Sequence, residues 1–267
     1  MGDDIYQGLQ DDSFADKTLI FSVGYRCTSS SLIKEMNMKF ESYPFDWVVS
    51  KPETVLHCLD TDFEEYLNRD HYVSIERSHT FNLFNNIKQH VCYEPICYNA
   101  YYENEQARLC DGDVGTYERR LALTHHNMHN EKDYQYFQRC VTRFRRMLAS
   151  TKQKFYLYTH PLISNSTFNE ECAYLLCKFC SFADTISKHS GNIFGIFFMI
   201  VQCEDKKHQV EVMYESTAMK VIVMYANNSL VDAGATYSGD FYSEQYQMLV
   251  TIESILKEKS GNSGVTL

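Results

Sequence analysis

Three short stretches place a nucleophile or a base just past an apolar run. Cys27 follows KTLIFSV (17–23) and Gly24, and it stands directly before Thr28, Ser29, Ser30 and Ser31. Those hydroxyls are helix-capping residues, so the thiol is expected at a helix N-terminus. There the positive end of the helix dipole and nearby N–H donors favour a thiolate. His125 and His126 close a second run, RLALT (120–124), and His160 closes a third, KFYLYT (154–159). An imidazole within reach of Cys27 would complete an activated nucleophile, and a carboxylate or amide would fix its tautomer. In open parallel sheets ligands bind beyond the carboxyl ends of the strands, where all three groups would sit.

The same loop permits a second chemistry. Gly24, Arg26, Thr28, Ser29 and Ser30 could cradle an anion with backbone amides, hydroxyls and a guanidinium. This superficially resembles the phosphosulfate-binding loop of sulfotransferases. No Gly-Lys-Ser/Thr follows, which argues against an NTPase. Cys172, Cys177 and Cys180 have the spacing of a plant-type iron–sulfur site. They lie in EECAYLLCKFCSF, an apolar helical stretch, and read as core packing. Cys92 and Cys97 lack a second ligand pair at zinc-like spacing. No metal and no cofactor is expected. Arg139, Arg143 and Arg146 read as a solvated helix flank.

The elements that must position these groups alternate. Residues 17–23 read as a buried strand and 31–38 as a helix, followed by a turn at Pro44-Phe45-Asp46-Trp47. A helical pattern covers 52–67. Residues 70–118 read as irregular, with one or two minor strands. The clearest helix is 133–149, where Phe137, Cys140, Val141, Phe144, Met147 and Leu148 form the apolar stripe. Strands at 154–159, 193–201, 210–214 and 220–225 and helices at 169–188 and 241–257 complete the pattern, with Asp240 as the last helix's cap. Alternating strands and helices predict an α/β fold: one domain with a mainly parallel sheet flanked by helices, in Rossmann-like layering. The domain is placed at 17–259, between flexible segments at 1–16 and 260–267.

Composition narrows the function. The chain has 267 residues and a formal charge of −10, which gives no general attraction for nucleic acid or anionic membranes. The longest apolar run, Ile193–Val201, is far short of a membrane span. Ten cysteines accompany an acidic N-terminus with no basic or apolar signal segment. The expectation is therefore a cytoplasmic protein with reduced thiols.

The segment FSVGYRCTSSSLIKEMNMKFESYPFDWVVS resembles the opening of a family of papain-like cysteine peptidases of unestablished function. Its parts stand here as Gly24, Cys27, the helix from Ser31 to Met38, and Pro44-Phe45-Asp46-Trp47. LALTHHN, YFQRCVTRFRRML and KFYLYT are similar to later parts of that family, so the resemblance spans roughly 18–160. It implies a thiol hydrolase acting on a peptide or small acyl substrate. Cys27 would be the nucleophile and His126 or His125 the base, with His160 in reserve. Asp46 would be the orienting carboxylate, although it reads equally well as a turn cap beside Trp47. Where the family more often has Asp after its His, this chain has Asn127.

Overall fold

A computed structural model describes residues 18–24, 27–82, 89–102, 121–123, 126–163, 168–203, 205–206, 208–226 and 241–261. Strand β1 (Thr18–Ser22) leads into helix α1 (Thr28–Glu35). Then come β2 (Val48–Ser50), α2 (Pro52–Asp60), the short α3 (Glu64–Leu67), β3 (Tyr72–Asn82), β4 (Gln89–Asn99) and β5 (Leu121–Leu123). The chain continues through α4 (Glu131–Leu148), β6 (Gln153–Ile163), α5 (Phe168–His189), β7 (Ile193–Gln202), β8 (Val210–Glu215), β9 (Met219–Ala226) and α6 (Phe241–Lys259). Asp240, the expected cap of α6, lies outside the described residues.

Five strands form the main sheet in the order β1-β6-β7-β9-β8. The first four are parallel, and β8 closes the edge antiparallel to β9. Side chains alternate between the faces, as period-two geometry requires. Phe155 and Leu157 of β6, Phe194, Ile196 and Phe198 of β7 and Ile222 of β9 meet Leu32 and Ile33 of α1 and Met248 and Ile252 of α6. Tyr156 and Tyr158, Phe197 and Val221 face the other way, onto α4 and α5. Helices therefore cover both faces, which is why these strands read as continuous apolar runs.

On the α4 side the core is a mesh of edge-on rings. Phe144 meets Phe21 at 5.3 Å, Phe45 at 5.7 Å and Phe63 at 5.8 Å between centroids, with planes 79° to 83° apart. Edge-to-face packing of this kind adds to the area buried.

A second, antiparallel sheet runs in the order β2-β5-β4-β3. It corrects the irregular reading of residues 70–118, because β3 and β4 pair along a ladder from Tyr72–Asn99 to Asn82–Gln89. The interspersed His, Arg, Asn and Glu residues hide the alternation that a residue-by-residue count needs. Backbone pairing, which that count does not see, holds the ladder. The helical reading of 52–67 also breaks in two. Asp62 and Phe63 both take left-handed backbone angles, φ 49° and 64°, and split it into α2 and α3.

Gly195 on β7 has no room for a side chain. A Cβ built there would meet the Tyr156 hydroxyl at 2.3 Å, and that buried hydroxyl has no hydrogen-bond partner among the described residues. Gly195→Ala is expected to destabilise the protein by about 1–3 kcal/mol through overpacking. Tyr156→Phe removes an unsatisfied buried hydroxyl and is expected to be neutral or stabilising. Urea unfolding of both variants checks this, and an unshifted Gly195→Ala midpoint would show that the ring yields freely.

Candidate active site at the sheet edge

Cys27 occupies the N-cap of α1 with φ −73° and ψ −15°. No side chain caps the helix start, and its first turn carries no acidic residue. The loop is held from three directions. Val23 N–H donates to the Leu157 carbonyl at 3.1 Å, tying the end of β1 to β6. Ser50 Oγ donates to the Val23 carbonyl at 3.1 Å. Gly24, at φ +102°, lies so close to Ser50 that a Cβ would fall 1.7 Å from its Oγ. Only glycine suits both that angle and that approach.

Two of the three hydroxyls expected to face a ligand, those of Ser29 and Ser30, are turned inward. Ser29 Oγ donates to the Gly24 carbonyl at 3.3 Å and shares a hydrogen bond with Thr159 Oγ1 at 3.1 Å. Ser30 Oγ accepts from Lys39 Nζ at 2.9 Å. Arg26 and His125 lie outside the described residues.

Asp46 is buried and bound to Lys39 Nζ, and it accepts from the Tyr43 N–H at 2.7 Å. It also donates its own N–H to the Tyr43 carbonyl at 3.3 Å. Burial pushes its carboxyl upward, against the pull of Lys39. These contacts are of the kind a turn cap makes. They lock the segment after α1 back onto the helix through Ser30.

The carboxylate beside His126 is Asp133, in the first turn of α4. His126 Nδ1 lies 3.2 Å from Asp133 Oδ1, and Asn127 N–H donates to the other oxygen at 2.9 Å. The imidazole stacks on Tyr136 at 5.0 Å and meets Phe137 edge-on at 5.2 Å. The Asn127 side chain accepts instead from His129 N–H at 2.9 Å and from the Cys97 thiol at 3.7 Å, closing the turn before α4. The sequence reading missed Asp133. Its signal was an acidic residue in a helix's first turn, one short loop beyond a histidine.

The β2–β5 register pairs Ser50 with Leu121 and Val48 with Leu123. His126 thus continues from the Val48 end of β2, whereas the Cys27 loop leans on the Ser50 end. His160 stands at the Cys27 edge, next to Thr159. Burial and the Lys51 charge depress it to about 3, so it is neutral at neutral pH.

None of the eight cysteines whose side chains are described is in a disulfide. Burial pushes Cys58 up to about 12 and Cys140 and Cys172 to about 11, and it raises Cys97 and Cys180 as well. Cys27 is partly exposed. Cys172 packs in the core as expected, but Cys177 is exposed. Five residues along a helix turn the side chain by about 140°, so both cannot face the sheet. Among the described residues no group of three His, Cys, Asp or Glu side chains could hold a metal ion, and no helix is long and apolar enough to cross a membrane.

A family model described as "Putative papain-like cysteine peptidase (DUF1796)" matches residues 18–221, more than half of the chain. No curated protein and no solved structure matches it.

Removing one member of a buried ion pair leaves the other uncompensated, so Asp46→Ala is expected to cost about 3–5 kcal/mol in chemical denaturation. Wild-type stability with lost turnover would instead restore Asp46 as the orienting carboxylate. His160 takes up a proton near 6.5 in the unfolded chain but only near 3 in the folded one. Its contribution is therefore complete above pH 6.5 and declines as pH falls toward 3. His160→Gln should flatten the stability profile across that window, and an unchanged profile would remove His160 as its cause.

Proposed function

The chain belongs to the family described as "Putative papain-like cysteine peptidase", and on that premise we propose that it is a thiol-dependent hydrolase with Cys27 as nucleophile. The observation that carries this is the setting of Cys27. It stands at a helix start with no side-chain cap and no acidic residue, beyond the carboxyl end of a parallel strand. There the field favours a thiolate, while the thiols of Cys58, Cys140 and Cys172 are held protonated by burial.

A thiolate formed by the helix end needs no base in contact with sulfur. His126 then serves the leaving group. Asp133 engages Nδ1 and leaves Nε2 for proton transfer. The Cys27 thiolate adds to the carbonyl carbon of a peptide or small acyl substrate. The C–N bond breaks, and the departing amine takes its proton from the His126 imidazolium. Water then attacks the thioester and gives a proton to the neutral imidazole, which releases the acid and regenerates the thiolate. The neutral His160 cannot donate that proton. The chain's charge of −10 argues against a nucleic-acid substrate. A phosphate- or phosphosulfate-dependent transferase is the competing reading, but Ser29 and Ser30 have their hydroxyls committed inward.

Iodoacetamide labelling across pH, read by peptide mapping, should find one fast site at Cys27 that titrates well below the free-thiol value of about 8.5. His126→Ala should lower turnover at least about 100-fold while leaving that titration in place. An upward shift in His126→Ala would instead establish a direct thiol–imidazole dyad. No early-titrating site, together with stabilisation by phosphate, would replace the hydrolase with the anion-binding reading.

A further inference from the structure

Glu244 lies in the first turn of α6 with its side chain only 1% exposed. Among the described residues neither carboxylate oxygen has a well-aligned hydrogen-bond donor. The ionisable side chain that meets it among them is His208, whose Nδ1 is 3.1 Å from Oε1 and whose side chain is 38% exposed. The pair therefore runs from the interior to the surface. Lys206, two residues before His208, is turned away, 3.3 Å from Glu211 and over the Tyr225 ring at 4.7 Å.

The backbone around His208 is fixed at the same edge of the sheet as Cys27. Cys203 N–H donates to the Ala226 carbonyl at 3.1 Å and His208 N–H to the Tyr225 carbonyl at 2.9 Å. This turn thereby closes over the carboxyl ends of β7 and β9. His208 itself sits at φ +67°, a conformation a non-glycine residue holds at a cost. Helix α6 shares its face of the sheet with α1, so Glu244 and Cys27 begin neighbouring elements. β9 is three strands from β1 in the sheet, about 14 Å at the usual spacing.

A buried carboxylate without donors is costly unless something supplies them. What is missing is a partner rich in N–H groups. With one carboxylate and one imidazole, and no group of three ligands among the described residues, a metal ion is poorly served. A guanidinium or ammonium matches instead, since a planar fork can reach both carboxylate oxygens at once. The chain's charge of −10 draws such ligands in.

We propose that Glu244 and His208 form a subsite for a protonated amine or guanidinium group. Its place in catalysis rests on the thiol-hydrolase reading: the subsite would hold a basic residue about four positions along an extended peptide from the bond attacked at Cys27. The binding itself does not rest on it.

Agmatine, which carries both cationic groups, is the probe, with 1,4-butanediol as its neutral counterpart and sodium chloride matching ionic strength. Agmatine should raise the melting temperature of the wild type and of Cys27→Ser dose-dependently, and the diol and the salt should not. Glu244→Gln should abolish the effect, and His208→Asn should keep it. An equal shift in Glu244→Gln, or one reproduced by salt, overturns the subsite. Should Glu244→Gln not fold, agmatine must slow diethyl pyrocarbonate modification of His208 in the wild type, and an unchanged rate overturns the proposal. Binding without hydrolysis in the wild type would leave the subsite standing and sink the hydrolase, and hydrolysis without binding would do the reverse.

Discussion

Everything here depends on the four parallel strands being covered on both faces. β6, β7 and β9 send Phe155, Phe198 and Ile222 to one side and Tyr156, Phe197 and Val221 to the other, and each side is sealed by helices. Such a sheet leaves no room for polar chemistry on its faces, because a buried group without partners is costly. Reactive groups are driven to the strand ends, where the chain turns and the helices begin. Cys27, His208 and Glu244 stand there, and His160 sits within β6 where its register with β7 shifts.

The next constraint is how that edge is held. The loop after β1 is pinned by Ser50 from the second sheet, by Thr159 from β6 and, through Ser30, by the Lys39–Asp46 pair. These contacts join segments far apart in the chain, so the position of the Cys27 sulfur is a property of the whole molecule. A buried ion pair is a poor source of net stability, but it specifies one arrangement over others. Here the arrangement is the return of the PFDW turn onto α1.

Much of this was legible in the residues. The apolar runs gave the parallel strands. The hydroxyl cluster after Cys27 marked the helix three residues late: α1 begins at Thr28 with Cys27 itself as N-cap, and the hydroxyls lie inside its first turn. The stripe from Phe137 to Met147 gave the buried face of α4. What was hidden depended on contacts across the chain. Nothing local says that Asp133 rather than Asp46 would meet His126, since both are acids near turns and only the folded path separates them. The β3–β4 ladder was hidden because polar residues interrupt its alternation while backbone pairing holds it. Nothing in the residues around Glu244 marked it for burial, which the folded chain alone shows.

The order of the strands also bears on how the chain reaches this state. β1 has β6 as its sheet neighbour, with Thr18 paired to Gln153. The whole second sheet and the four helices α1 to α4 lie between them in the chain. Closing a loop that long is entropically slow, and topologies dominated by distant pairings fold slowly. During synthesis the apolar TLIFS segment is made first yet cannot pair until the chain has grown past residue 157. Until then it is an exposed, strand-prone stretch of the kind that chaperones shield. The strand that leads to Cys27 is thus synthesised long before the partner strand that secures it.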